Sequence, residues 1–371
     1  MLVGVLLMLK NEEQSIEATM NSIKDHIEYV IVYDTGSTDK TIDIIKRKCE
    51  THNQTLYLKQ VNHFHSFPES RNEAIEFAET VDVKYVLMMD AGDELKTNLS
   101  PFFFYQMLSS IASDRRFGVI KQLWEEDKNV TDHSDIRFIR NRANCRYDLD
   151  YPVHEKIITH DREMPVYFND YFYLYQNRDL YGKSTEKRYI SDIEILSKAK
   201  PRPRNLFFLG QTYANIKDFK NALKYNQITF DLLKHKPPGF DNVPIHITTI
   251  RILDCGIKSN ASSSDIIEYF ERAVRYNKNS IDPYVIFFQY CINTNNVSYT
   301  LPYIDTVFRM KMEGDNINQI FYRYERWRLI SVICLLSRTK LSLGKEACRT
   351  AIQAMNRDSD KDMYRQYEML V

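Results

Sequence analysis

The stretch Tyr29-Val-Ile-Val-Tyr33-Asp34-Thr-Gly-Ser-Thr-Asp39 decides the fold. An unbroken run of β-branched and aromatic residues reads as a strand buried on both faces. A turn rich in Asp, Gly, Ser and Thr stops it, and a helical pattern starts at Lys40. Asp34 leaves that strand as a carboxylate able to accept hydrogen bonds from a base N–H or a ribose hydroxyl. Gly36 lets the backbone turn with positive φ or approach a ligand. Ser37, Thr38 or Asp39 can cap the next helix, whose N-terminus favours anions. The same residues also read as a capped strand–helix turn that binds nothing, because Asp and Ser favour such turns unaided.

Outward from this stretch the grammar repeats. Residues 2–9 form an apolar strand pattern and 15–26 an amphipathic helix. Downstream come a helix at 40–51, a strand at 55–61, a helix at 70–80 and a strand at 84–89. Strand and helix alternating at this spacing predict an α/β domain with a mostly parallel sheet and a ligand site beyond the carboxyl ends of its strands. Three of those ends carry polar clusters, at 10–13, 34–39 and 90–94. Beyond about residue 185 strand-like runs give way to helical periodicity. Segments 204–216 and 219–235 read as a helix pair joined by a Lys-Asp turn, with Leu209, Gly210, Tyr213 and Ala222 at the spacings of a tetratricopeptide repeat. Further helices are expected at 243–258, 264–277, 283–294, 299–312, 319–338 and 342–356, punctuated by Pro201, Pro203, Pro237, Pro238 and Pro283. The expected domains are 1–183 and an all-α, TPR-like 184–371.

Composition narrows the function classes. A chain of 371 residues suits two domains. Its 50 Lys+Arg balance 50 Asp+Glu, which disfavours nucleic acid and polybasic membrane-surface roles. Its 43% hydrophobic content is enough for real cores. The six cysteines form no CxxC pair, so neither a zinc ribbon nor a disulfide framework is expected, and a reducing compartment fits. The apolar start at 1–9 has no basic flank or cleavage site and is too short to span a bilayer. With no long apolar stretch elsewhere, the expectation is a soluble, cytoplasmic protein with no transmembrane segment.

Three further clusters bear chemistry. Met89-Asp90-Ala-Gly-Asp93-Glu94 puts acids at the exit of an apolar strand, hard oxygen ligands suited to Mg²⁺ or Mn²⁺ beside phosphates; a solvated acidic turn is the plain alternative. Ser70-Arg71-Asn72-Glu73 opens a helix, and Arg71 suits a base oxygen, a phosphate or a surface ion pair. Arg137-Phe-Ile-Arg-Asn141 is followed by Val153-His154-Glu155-Lys156, where a His and a Glu can divide metal or phosphate contact from proton transfer. Most such His-Glu pairs are structural.

Taken jointly, Leu9-Lys-Asn-Glu-Glu13, Asp34-Thr-Gly-Ser-Thr-Asp39, Ser70-Arg-Asn72, the Asp90 segment, Arg137-Phe-Ile-Arg-Asn141 and Val153-His-Glu155 resemble family 2 glycosyltransferases of the GT-A fold. The resemblance is to the branch with lipopolysaccharide-core glucosyltransferases and TPR-bearing relatives, and it covers about residues 1–180. It implies a Rossmann-like nucleotide-diphospho-sugar transferase domain followed by a helical one. It also implies an inverting hexosyltransferase with a UDP-sugar donor, a glycan, lipid-linked or protein acceptor, and Mn²⁺ or Mg²⁺. By resemblance Glu13 and Asp34 hold the nucleoside, Arg71 sits at the base or diphosphate, Asp90 lies near ribose and metal, and His154 approaches metal or diphosphate. The chain departs from the Asp-x-Asp pattern, reading Asp90-Ala91-Gly92 and then Asp93. Either Asp93 supplies the second, metal-coordinating and catalytically needed acid, or the metal is weakly held, or it is dispensable. Glu155 is the first choice of catalytic base, with Glu125, Glu126 and Asp127 as rivals.

Two other classes compete. A sugar-1-phosphate nucleotidyltransferase shares such a sheet, but its Gly-rich loop after the first strand has no counterpart in 9–15. A helical-repeat scaffold with an inactive transferase domain is the non-enzymatic alternative, favoured by Gly92. The helical half suits a concave surface for a protein, peptide or glycan, or a dimer contact. Tyr213, Tyr225, Tyr276, Tyr290, Tyr322 and Trp327 offer rings for sugar stacking, although large aromatics at helical spacing more often form core.

Overall fold

A computed structural model describes residues 2–126, 128–158, 164–181, 185–310 and 319–354. The chain forms two compact units, dividing between Arg188 and Tyr189, where the sequence suggests 183/184.

The first unit begins β1 (Val3–Leu9), α1 (Ile16–Ile23), β2 (Tyr29–Asp34), α2 (Thr41–Thr51), β3 (Thr55–Gln60), α3 (Phe67–Glu79) and β4 (Tyr85–Met89). These strands lie parallel in the order β3-β2-β1-β4. Side chains alternate across a strand, and here the alternation sorts two cores. Val5, Leu7, Val30, Val32, Leu87 and Met89 pack with residues of α1 and α2 on one face. Leu6, Ile31, Tyr33, Val86 and Met88 pack with Ala74, Ile75 and Ala78 of α3 on the other. The order reverses at β1, whose neighbours are β2 and β4, so the crevice expected at such a switch point lies at the carboxyl ends of β1 and β4.

The rest of the sheet corrects the expectation of a mostly parallel one. β5 (Glu94–Thr97) and α4 (Pro101–Ser109) precede β6 (Phe117–Glu126), β7 (Asn129–Arg140), β8 (Val166–Tyr167) and β9 (Phe172–Asn177). β7 joins β4 antiparallel, β6 pairs β7 antiparallel and β9 parallel, and β5 closes the path antiparallel to β9. The β6–β7 connection is a hairpin, which enforces antiparallel pairing. β7 reads Asn-Val-Thr-Asp-His-Ser-Asp-Ile-Arg-Phe-Ile-Arg, so apart from Val130 its apolar residues fall at one end and no buried run announces it.

The second unit is helical, the division falling within α5 (Thr185–Lys198). It continues α6 (Pro203–Asn215), α7 (Phe219–Leu233), α8 (Ile245–Lys258), α9 (Ser263–Tyr276), α10 (Asp282–Asn293), α11 (Ile304–Arg309), α12 (Gln319–Ser337) and α13 (Leu341–Ala354). The helix expected over 299–312 is instead a 3₁₀ segment, Val297–Tyr303, followed by short α11. Pro302 lacks the N–H an α-helix needs there. Residues 311–312 and 355–356 of the expected helices lie outside the described ones. Consecutive helices touch through small residues: a Cβ on Gly210 would stand 2.9 Å from Asn226, and one on Gly256 2.7 Å from Tyr269. Trp327 is core, Tyr276 and Tyr290 pack against it, and the rings of Tyr213 and Tyr225 stack at 5.5 Å on each other. The Tyr322 side chain lies outside the described residues. No described helix is long and apolar enough to cross a membrane. All six cysteines are buried and free, and burial pushes the Cys49 thiol up to about 11, away from reactive thiolate.

At Gly118 the β6–β7 register shifts, and a Cβ would lie 2.3 Å from the Phe168 ring and 3.3 Å from the Val166 carbonyl oxygen. Gly118→Ala should therefore lower stability by about 1–3 kcal/mol, the usual cost of overpacking. Adding Phe168→Leu should recover part of that loss in urea unfolding. An unchanged midpoint in the single variant contradicts this packing.

Candidate active site

The loops leaving β1 and β2 are built around each other. Thr35 N–H donates to the Leu9 carbonyl at 3.0 Å, Asn11 N–H to Ser37 Oγ at 2.9 Å, and Thr38 N–H to Asn11 Oδ1 at 2.8 Å. Glu12 N–H reaches Thr41 Oγ1 at 2.7 Å. Asp39 accepts from Thr41 N–H and hydroxyl and from Glu13 N–H. Burial works to raise the Asp39 pKa, but these hydrogen bonds outweigh it and hold the carboxyl below its ordinary value. The Glu13 carboxylate accepts from Lys40 N–H at 3.0 Å, at the N-terminus of α2.

Asp34 is fully buried. Its Oδ1 accepts from Ser37 N–H at 2.9 Å and Ser37 hydroxyl at 2.6 Å, and Oδ2 from the Gln60 amide at 3.0 Å. The capped-turn role is thus present in the structure. A ligand N–H or hydroxyl would have to share these oxygens. Gly36 has φ +103°, the left-handed region, and a Cβ there would lie 3.4 Å from the Val61 carbonyl.

The second element of the site is an ion cluster at the end of β4. Asp90 Oδ1 meets Arg71 Nη2 at 3.2 Å, and Oδ2 meets Arg137 Nη1 at 3.0 Å. Arg71 also turns Nε to Glu155 Oε1 at 3.4 Å and lies over the Tyr147 ring, 5.8 Å from its centroid. The pleat that sends Met88 toward α3 sends Asp90 the same way, so α3 supplies Arg71 directly. Burial would raise the Asp90 pKa, yet Arg137 and Arg71 hold its carboxyl well below the carboxylate range. Burial would lower the two arginines, and Asp90 keeps both firmly charged. Burial pushes the Tyr147 phenol up to about 12, against the pull of the arginines, so it stays neutral.

Glu155 is placed by a loop clamped to α3. Asn72 grips the backbone of Tyr147 twice, accepting its N–H at 2.7 Å and donating to its carbonyl at 3.0 Å. Arg146 forks onto Glu79 at 2.9 and 2.8 Å. Asp148 N–H bonds the Lys156 carbonyl and Ile158 N–H the Arg146 carbonyl, each at 2.8 Å, which folds residue 155 back over Arg71.

The structure therefore brings Arg71, Asp90 and Glu155 together and adds Arg137 and Tyr147. Arg137 stands in a segment quoted from the sequence, but nothing in its spacing said it would meet Asp90. Asp93 is buried and its carboxylate turns inward, accepting from Asp90 N–H of its own loop at 2.9 Å and from the Gln176 amide of β9 at 3.2 Å. His154 is exposed with φ +51°. Asp90, Asp93 and His154 are not gathered as a ligand set; among the described residues the one trio with ligand atoms within 4.8 Å of one another is His63, His65 and Glu73. Of the rival bases, Glu125 accepts from the Tyr175 hydroxyl and Glu126 pairs with Arg178 at 3.5 Å; Asp127 lies outside the described residues. Gly92 explains the missing second acid. Its φ is +95°, a Cβ would stand 3.1 Å from the Tyr181 ring, and its N–H donates to buried Thr19 at 2.9 Å.

The β1/β4 switch point and the charged groups at the strand ends place the candidate site where open α/β sheets hold their ligands. Residues 5–144 match the model for Glycosyl transferase family 2, and the first unit resembles that family and has the GT-A type of fold. The chain is 26% identical over 226 residues to the SPbeta prophage-derived glycosyltransferase SunS of Bacillus subtilis (strain 168), covering 59% of this chain and 51% of that one. Glycosyltransferase SunS of Bacillus phage SPbeta matches equally. The chain thus spans about half the length of the curated relatives it matches. Among solved structures it is similar to S. aureus TarS, at 12% identity and TM-score 0.39, covering 73% of this chain and 55% of that one.

Because the folded-state pKa of Asp90 lies below its unfolded value near 3.9, its contribution to stability is present above that value and is lost as pH falls toward the folded pKa. Arg137→Gln removes one partner while Arg71 remains. It should cost about 1–2 kcal/mol near neutral pH, less than for a fully buried pair because solvent reaches Asp90. The gap to wild type in urea midpoint should narrow between pH 5 and pH 2; a gap independent of pH contradicts the pairing.

Proposed function

We propose that the chain is an inverting hexosyltransferase using a nucleotide-diphosphate sugar, with UDP-hexose as donor and a glycan, lipid-linked or protein hydroxyl as acceptor. The observation that carries this reading is the Arg71–Asp90–Arg137 cluster at the carboxyl end of β4, inside the segment that matches the family model. Asp34 and Glu13 are assigned to the nucleoside, with Asp34 held rigid by Ser37 and Gln60. Arg71 and Arg137 are assigned to the diphosphate. Positive groups fixed where the leaving charge develops lower the barrier without reorganising.

Glu155 is assigned as the base. It takes the proton of the acceptor hydroxyl as that oxygen attacks the anomeric carbon, and the bond to the diphosphate oxygen breaks on the opposite face. Asp90 and Asp93 do not form a metal-ligand set: both Asp90 oxygens are held by arginine, and the Asp93 oxygens by the Asp90 N–H and by the Gln176 amide of β9. A role for Mn²⁺ or Mg²⁺ requires Asp90 to exchange a guanidinium for the ion, and no step is routed through one. The helical unit is assigned to holding the acceptor or a partner.

The second reading, a helical scaffold with an inactive transferase domain, is favoured by the inward carboxylate of Asp93 and the crowding at Gly92. Calorimetry with UDP separates the two, since a scaffold binds none. Purified protein given UDP-hexose, with Mn²⁺ or with a chelator, should release UDP. Asp34→Ala and Asp90→Ala should each reduce turnover by roughly 10²-fold or more, in line with losing a preorganised charge contact. Glu155→Gln should lower turnover similarly while UDP affinity holds. Full turnover in all three variants rejects the site assignment.

A further inference from the structure

Away from the ion cluster, the loop between β3 and α3 brings His63 and His65 onto Glu73. His63 Nε2 lies 3.3 Å from Glu73 Oε2, and His65 Nε2 lies 3.7 Å from Oε1. The two imidazole rings are 4.7 Å apart between centroids. Both histidines are exposed, with 44% and 56% of their side chains open to solvent, so an ion can reach them. The rest of the loop fixes this arrangement. Phe64, between the histidines, packs edge-on against Phe67 at 5.1 Å. Ser66 caps α3 and donates its hydroxyl to Glu69 at 2.8 Å, so the chain is pinned immediately after His65. Glu73 is held from behind: the Tyr33 hydroxyl donates to its Oε2 at 2.7 Å.

We infer that His63, His65 and Glu73 form a binding site for a borderline divalent metal, with Zn²⁺ the best match. Two imidazoles and a carboxylate are ligands that Zn²⁺ takes at about 2.0–2.2 Å, leaving a fourth tetrahedral position for water. Tetrahedral geometry at those bond lengths separates ligand atoms by about 3.3–3.5 Å; here the three ligand atoms lie within 4.8 Å of one another, with Glu73 Oε1 3.7 Å from His65 Nε2. Glu73 faces both histidines through different oxygens, so one is drawn to the ion and the other stays with Tyr33. A hydroxyl behind a metal carboxylate is the outer-shell support such sites use. Lys59, over the Tyr33 ring at 5.4 Å, is the nearby cation that opposes binding. The hard ions Mg²⁺ and Ca²⁺ prefer all-oxygen shells and suit this site poorly. With metal bound, the loop after β3 would be fastened to α3 beside the Tyr33–Asp34 strand end.

The test is calorimetric titration of ZnCl₂ into the chelator-stripped 371-residue chain at neutral pH, with Co²⁺ absorption reporting geometry. Wild type should bind one Zn²⁺ tightly, and Co²⁺ should give the intense visible bands of a four-coordinate site. His63→Ala/His65→Ala and, separately, Glu73→Gln should weaken that event at least tenfold, and Tyr33→Phe should weaken it less. Circular dichroism should leave the histidine variant folded, because both side chains are exposed. Unchanged Zn²⁺ binding in the folded histidine variant, or no binding by wild type, overturns the proposal. None of these readouts depends on sugar transfer.

Discussion

The carboxylate of Asp90 is the contact on which the arrangement of the first unit turns. It ends the central strand β4, and it is the shared partner of two largely buried guanidiniums, from α3 and from β7. A guanidinium cannot shed its charge, so burying one without a carboxylate would cost several kcal/mol. Asp90 thereby ties the parallel half of the sheet to the antiparallel half at one point. The Glu155 loop is attached to the same point through Arg71. It is held as well by backbone grips from Asn72 and a fork from Arg146. The surroundings are therefore held by the protein's own contacts, which on the proposed reading is the preorganisation needed to orient phosphate and hydroxyl.

The parallel half and the helices were legible because each produces its own period. The strand at 29–34, the helix following it and most helices of the second unit fall within a few residues of the sequence reading. Hydrophobic alternation and 3.6-residue spacing are set by burial alone. What did not show were features made by contacts distant in sequence. β7 carries His, Ser and four acidic or basic residues along its length, and no long apolar run marks it. The Arg137–Asp90 pair joins residues from neighbouring strands, and only the antiparallel pairing of β4 with β7 reveals it. Pro302 was visible in the sequence, but its effect on the expected helix needed the backbone. His63 and His65 fell between a strand and a helix and so belonged to no periodic pattern.

The departure at Gly92 has a physical account that the sequence lacked. A second acid at that position would need a left-handed backbone and space now occupied by Tyr181. Asp93 does not simply move into its place. Its carboxylate satisfies the backbone N–H of Asp90 and so shapes the turn that presents Asp90. The two acids divide the work: one faces the arginines and the other holds the turn.

On the proposed reading, charge sharpens what this site does on meeting a diphosphate. Arg71, Arg137, Asp90 and Glu155 sum to zero, mirroring the balance of the whole chain. A neutral cluster offers a dianion little net attraction at long range, since steering needs an excess of one sign. At contact the balance changes, because a phosphate oxygen can take guanidinium N–H groups from Asp90 or Glu155. Moving Arg71 onto a phosphate would also free Glu155 Oε1 from its 3.4 Å contact. On the proposed reading, donor binding and release of the base would then be one event: the phosphate that claims Arg71 frees the carboxylate assigned to accept the proton.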